Sequence, residues 1–276
     1  PGPRSAGGES STSADELAVR KGTDNFDRSL IPTAGATEAV DIPEMWQRNF
    51  DNGISILGAQ SLETPTTSLL LKIPAGHYFN AKDKAGTAAL LASMFGESTT
   101  ERSAEEMSKA LQKLGSSVYI SAGNHYLNVN VSALTKNLDA TLSLVNEQLR
   151  APAFLESEFE RLKNNAIQGA LNSKKDAGYL ASTAYRQLLN ADNIASMPSS
   201  GNEESLTNIS LDDVKAFYQQ QVKPFGGQLI AVSDLDQAKL TQSLSILKDW
   251  QGKSADLDLS LPDGSGKMGM IYLVNK

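Results

Sequence analysis

The sequence holds two histidines, His77 in "PAGHYF" and His125 in "AGNHYL", and no cysteine. A histidine can serve as a metal ligand or as a general base near neutral pH. Two imidazoles and no thiolate rule out a three-histidine zinc site and a thiolate zinc site, so a histidine metal site would need carboxylates to complete it. No Asp or Glu stands at metal-ligand spacing from either histidine. Both therefore read as loop histidines, His77 just after a strand and His125 in a hairpin turn.

The acidic clusters offer no chemistry either. "ESEFER" (residues 156–161) and "DLDQAK" (residues 234–239) read as helix starts, where negative charge is favourable beside the positive end of the helix dipole. The glycines of "KPFGGQ" lack the Gly-x-x-x-x-Gly-Lys-Ser/Thr spacing of a phosphate loop, and no Gly-x-Ser-x-Gly elbow occurs. Residue chemistry alone yields no active site.

Composition narrows the class of partner. The chain has 276 residues, of which 40% are hydrophobic and 21% charged, as in ordinary globular proteins. That length suits one large domain, or one domain with extensions. The formal net charge of -7, with Lys and Arg scattered along the chain, argues against a nucleic-acid-binding surface and against a polybasic membrane patch. No apolar run approaches the roughly 18 residues of a membrane span. The first residues lack the charged-then-apolar pattern of a signal peptide, so any export signal is expected to have been removed or to lie outside this chain.

The elements that would position a site follow from periodicity. Residues 1–45 are expected to be a leader or linker strap, because "PGPRSAGGESSTSADE" has almost no large apolar residue with which to bury a core. "WQRNFDNGISILGA" places an Asp-Asn-Gly turn signal between two short strands, and "TSLLLKIPAG" is an apolar strand stopped by Pro74 and Gly76. A helix is expected over about residues 84–95, within "AGTAALLASMFGES". Its apolar residues surround the axis, which predicts burial on all sides. Ser103 and Glu106 form a capping box for the next helix, which stops at Gly115.

Alternation at period two then predicts an antiparallel hairpin, with Val118, Ile120 and Ala122 on one face of its first strand and Leu127, Val129, Val131 and Ala133 on one face of its second. Helices are expected at 136–150, 156–174, 177–189, 211–221 (capped by Ser210) and 237–250, with a strand in "GQLIAVSDL". "MGMIYLV" near the end reads as one more strand. Antiparallel strand pairs with long helices between them indicate an α+β fold, a largely antiparallel sheet packed with several long helices.

The order of these segments carries more information than any residue. "DNGISIL", "IPAGHYFNAKDKAGTAALLASMFGEST", "RSAEEMSKALQKLGSSVYISAGNHYLNVNVSAL" and "LDATLSLVNEQLRAPAFLESEFERLKN", followed by "SSGNEESLTNISLDDVKAFYQQQVKPFGGQLIAVSDLD", resemble the pitrilysin/insulinase family of zinc peptidases, which includes mitochondrial processing peptidase and non-catalytic relatives. The resemblance spans about residues 41–250. Active members carry His-x-x-Glu-His on the helix after the first strands: two zinc-binding histidines one turn apart, and a Glu that activates water. The resemblance lays that motif on Ala89, Leu90, Leu91, Ala92 and Ser93. It puts the distal Glu ligand near Ile167, beside Gln168. All four functional positions, Ala89, Ala92, Ser93 and Ile167, lack the required group together.

Members of the family are built from two homologous halves that close around a peptide, one of which holds zinc. The resemblance therefore implies a non-catalytic half. Such a half completes the peptide-binding chamber and supports a zinc-bearing half, fused upstream or separate. It implies no cofactor in this chain, zinc in the partner half, and no hydrolysis by this chain alone. On this reading residues 46–252 form the peptidase-like domain, and residues 253–276 hold a linker and the first strand of a truncated second subdomain. Bacterial relatives point to the periplasm. The alternative is a stand-alone binding or assembly protein that reuses the fold without proteolysis.

Overall fold

The computed structural model describes residues 43–190 and 193–254, together with the isolated residues 27, 29 and 35. The strap expected over residues 1–45 falls almost wholly outside the described residues, as does the strand expected in "MGMIYLV". The fold is α+β: a six-stranded sheet with its helices in one layer over it.

Two strands open the sheet, β1 (Met45–Asn49) and β2 (Ser55–Gln60), which pair antiparallel across the Asp-Asn-Gly turn. Gly53 sits there at φ +90°, where a Cβ would meet the Phe225 ring at 2.6 Å. Only glycine reconciles that backbone with that neighbour. The strand β3 (Thr66–Ile73) follows, then α1 (Thr87–Met94) and α2 (Ala104–Leu114). The hairpin is β4 (Ser117–Ala122) and β5 (Leu127–Leu134). Four helices come next: α3 (Leu138–Arg150), α4 (Glu156–Ser173), α5 (Ala177–Asn190) and α6 (Glu203–Asn208). The described chain closes with α7 (Leu211–Gln221), β6 (Gln228–Ser233) and α8 (Gln237–Ser243).

The strand order is β1-β2-β6-β3-β5-β4. Every pairing is antiparallel except β2 with β6, which is parallel in the register Leu57 to Ile230. The last strand thus enters the middle of the sheet, between β2 and β3, and locks its two hairpins together. Alternation at period two puts Ile56, Leu69, Leu71, Ile73, Leu127, Val129, Val131 and Leu229 on the covered face, all buried. The opposite face leaves Tyr119, Ile230 and Val232 exposed. The helical layer completes the core with Leu91, Phe95, Leu142, Phe159, Leu206, Phe217 and Leu244.

Helix boundaries follow local chemistry. The Ser103–Glu106 capping box forms as its sequence indicates, with the Glu106 amide donating to Ser103 Oγ and the Ser103 amide donating to Glu106 Oε2. Gly115 ends α2 in the left-handed region at φ 63°. Ser210 caps α7 through a reciprocal box with Asp213. Other elements differ from the periodicity, among them the start of α3, where Thr135–Asn137 is a 3-10 turn and the helix begins at Leu138. Lys82–Lys84 forms a separate 3-10 turn, and Gly86 at φ 106° breaks the chain there, so α1 starts at Thr87. The helix expected over 237–250 is α8 followed by a 3-10 turn, Leu244–Leu247. The short helix α6 lies in a stretch to which the periodicity assigns no element.

Candidate functional site

The helix α1 packs against α4, α7 and the edge strand β4. Its inward side is apolar and closed: Ala88, Leu90, Leu91, Ala92 and Met94 are all buried. Its outward side is not. Ser93 is exposed and Ala89, one turn earlier, is half-buried. The Ser93 hydroxyl donates to the Ala89 carbonyl oxygen at 3.1 Å, a bond within the helix. Burial on all sides, expected from the apolar count, therefore fails on one face. The residues responsible are too small to reach across to a neighbouring element.

Ile167 lies on α4, half-buried against the core, and Gln168 beside it is exposed. Polar ties hold α4 to the loop after α1 near its start and to α6 and the residue after it further along. Near its start, Glu158 accepts from the Ser98 hydroxyl at 2.5 Å, and Arg161 pairs with Glu97 at 2.5 Å, both on the loop that leaves α1. That loop is held from below as well, where Glu147 of α3 accepts from the Thr99 hydroxyl and pairs with Arg102. Further along, Lys163 donates to the carbonyls of Thr207 and Ile209, and Lys174 pairs with Glu203 at 2.6 Å. Ala89, Ser93 and Ile167 offer a methyl, a hydroxyl and a branched alkyl group. None of these is a zinc ligand of useful strength, so these residues do not fit a zinc ion. Among the described residues no three of His, Cys, Asp or Glu come together as a metal site.

The histidines are accounted for without metal chemistry. His77 is buried, 2% exposed, on the 3-10 turn His77–Phe79. Its Nε2 faces the carbonyl oxygens of Ile194 at 3.2 Å and Met197 at 3.1 Å, and so must carry the hydrogen. Its Nδ1 then accepts from Asn80 Nδ2 at 3.3 Å, while Asn80 Oδ1 accepts from the Ala88 amide at 3.1 Å near the start of α1. Burial pushes the His77 pKa below its ordinary value; the two carbonyls oppose that shift, and the Arg186 charge adds to it. Both ring nitrogens are in use, which leaves no lone pair for a metal. His77 is a structural tie between the α1 start and residues 194–197. His125 is exposed, and its ring stands edge-on to Tyr78 at 4.9 Å.

Asn80 was not singled out from the sequence, because both of its partners are set by tertiary folding. Lys84 and Asp213 are a second such pair, 2.5 Å apart, joining the turn before α1 to the first turn of α7. Burial raises the Asp213 pKa, but the Lys84 ammonium and the hydrogen bonds from Ser210 outweigh it and bring the carboxyl to about 2. A cleft of about 760 Å³ opens between α5, α6 and the turn at Lys82–Lys84, lined by residues that include Asp83, Gln187, Met197, Asn202, Glu204 and Asn208. Neither Ala89, Ser93 nor Ile167 lines it. Among the described residues no helix is long and apolar enough to cross a membrane.

A mixed six-stranded sheet under one helical layer is a fold shared with about half of each of two solved structures. The structure of the peptidase M16 inactive domain from Pseudomonas fluorescens superposes with a TM-score of 0.73, at 20% identity, over 78% of this chain and 53% of that one. The first half of the periplasmic protease PqqL from Escherichia coli gives 0.69, at 18% identity, over 81% of this chain and 50% of that one. In sequence, residues 56–195 match the profile of the insulinase family, peptidase family M16. The chain belongs to that family.

Among its relatives is the non-peptidase homolog YmxG of Helicobacter pylori (strain ATCC 700392 / 26695), 26% identical over 185 residues, which are 67% of this chain and 42% of that protein. Mitochondrial-processing peptidase subunit alpha-1 of Dictyostelium discoideum is 28% identical over 107 residues, which are 39% of this chain and 16% of that protein. The chain thus spans about half the length of such relatives, or less.

Proposed function

We propose that this chain is part of a non-catalytic half of a two-half zinc metallopeptidase, which completes the peptide-binding chamber and supports a zinc-bearing half. The observation that carries the reading is the outward face of α1. Ala89 and Ser93 sit one turn apart on the accessible side of the helix, with no group able to bind zinc or activate water. Ala92 and Ile167 complete a set of four positions, all degenerate together. The family is kept and its chemistry is lost, as in relatives described as an inactive domain and a non-peptidase homolog. On this reading zinc resides in the partner half, residues 46–252 are the peptidase-like domain, and the periplasm is the compartment, as for PqqL.

The test is reconstitution. The full-length protein is mixed with a zinc-bearing M16 half encoded beside it, and complex formation and peptide hydrolysis are followed together. The reading expects a stable complex and hydrolysis well above that of the zinc-bearing half alone. No complex and unchanged hydrolysis would favour a stand-alone binding or assembly protein built on the same fold.

A further inference from the structure

We infer that Asn52–Gly53 is a deamidation site closed by the native fold, and that its modification in the unfolded chain prevents return to that fold. The described chain contains no other Asn-Gly step. Glycine on the C-terminal side leaves the backbone nitrogen sterically open to attack the Asn carboxamide carbon. The Gly53 nitrogen forms a bond to Asn52 Cγ, ammonia leaves, and a five-membered succinimide results. Water then opens either carbonyl of the ring, giving an aspartyl or isoaspartyl residue at position 52. The reaction needs only water and base.

The fold obstructs each reacting atom. The Gly53 amide donates to the Phe50 carbonyl at 3.0 Å, so the nucleophile is engaged in the turn. The Asn52 side chain is buried and fully bonded. Its Nδ2 donates to the Leu247 carbonyl at 2.7 Å and to the Trp250 carbonyl at 2.9 Å, and its Oδ1 accepts from the Ile54 amide at 3.3 Å. Gly53 is itself fixed, since its carbonyl accepts from the Gly226 amide at 3.2 Å. Rotating the carboxamide onto the glycine nitrogen would break all of these bonds, so reaction requires opening of the turn.

The same bonds make the product incompatible with the fold. Nδ2 is the donor that joins the β1–β2 turn to the segment after α8, nearly two hundred residues away. A carboxylate has no hydrogen to donate, and it would set a buried negative charge against two carbonyl oxygens. An isoaspartyl linkage would also lengthen the backbone at the tightest point of the turn. Loss of ammonia at one residue therefore unlatches Leu247 and Trp250 from the edge of the sheet.

The full chain is incubated at mildly alkaline pH, folded and in urea, and position 52 is followed by peptide mapping with mass spectrometry. Deamidation at that position is expected to be slower by about tenfold or more in the folded chain. After dilution from urea, the deamidated fraction is expected to be absent from the native peak on size exclusion. Asn52→Asp, made directly, is likewise expected to stay out of the native peak. Equal rates in the folded and unfolded chains would overturn the inference, as would a deamidated chain that returns to the native peak.

Discussion

Ser93 Oγ donates to the carbonyl of Ala89 at 3.1 Å, so two positions one turn apart on the open face of α1 are bonded to each other within the helix. On the proposed reading the family's zinc motif falls on this pair; Ala92, between them, is buried. The inward side of the helix packs into the core, while the one side-chain hydrogen bond of Ser93 stays within the helix.

If the lost motif occupied these positions, restoring it should restore the metal. The variant carrying Ala89→His, Ala92→Glu, Ser93→His and Ile167→Glu is expected to bind one zinc per chain, read by metal analysis after dialysis. A folded variant that binds no zinc would show that the frame between α1 and α4 has itself diverged. The buried position of Ala92 makes the Glu costly without metal, so zinc is also expected to raise the variant's Tm.

His77 should stabilise only as a neutral ring. Its folded pKa lies below the ordinary value of 6.5, chiefly because of burial. The unfolded chain therefore takes up the proton first. Its contribution is present above pH ~6.5 and is lost as the pH falls below that value. His77→Leu leaves the carbonyls of Ile194 and Met197 and the Asn80 amide without a partner, at a cost of about 1–3 kcal/mol near neutral pH. Urea melts from pH 8 to 5 should show the gap between wild type and variant closing with acid.

Asp213 should report at lower pH. Its carboxyl is brought from 3.8 to about 2 in the fold, so its stabilising effect is present above pH ~4 and lost as the pH falls through about 2. Asp213→Asn removes both the Lys84 pair and part of the α7 cap. The variant should melt below wild type at pH 6, and the difference should shrink as the pH falls towards 2.

Gly86→Ala should weaken the start of α1. Gly86 lies at φ 106°, and a Cβ there would come within 2.9 Å of Leu206 Cδ2 and 3.0 Å of the Ser200 carbonyl oxygen. A loss of more than ~1 kcal/mol is expected from chemical denaturation, because backbone strain and crowding add. An unchanged stability would mean that the turn before α1 relaxes freely.

Much of this architecture is written locally and could be read in advance. The Ser103–Glu106 and Ser210 caps, Gly115, the Asp-Asn-Gly turn and the alternation from Leu127 to Ala133 each depend on near neighbours in sequence. The parallel pairing of β2 with β6 is different: its partners are about 170 positions apart, and no local signal marks them. The same holds for His77, whose type suggests chemistry until Ile194, Met197 and Asn80 are seen to use both nitrogens. Ser93 escaped the burial expectation because counting apolar residues around α1 says nothing about which side faces a neighbour. The short α6 is a six-residue, mostly polar stretch, held by the Asn202 cap, by Ser205 donating to the Ala85 carbonyl at 2.8 Å and by Leu206 buried in the core. Its stability comes from tertiary contact.

The most direct test of the account is zinc stoichiometry measured together with peptide hydrolysis on the purified full chain, after incubation with excess zinc and dialysis. The account predicts no bound zinc above background and no cleavage of a panel of unstructured peptides. One tightly bound zinc per chain, with cleavage abolished by a chelator and restored by zinc, would contradict it.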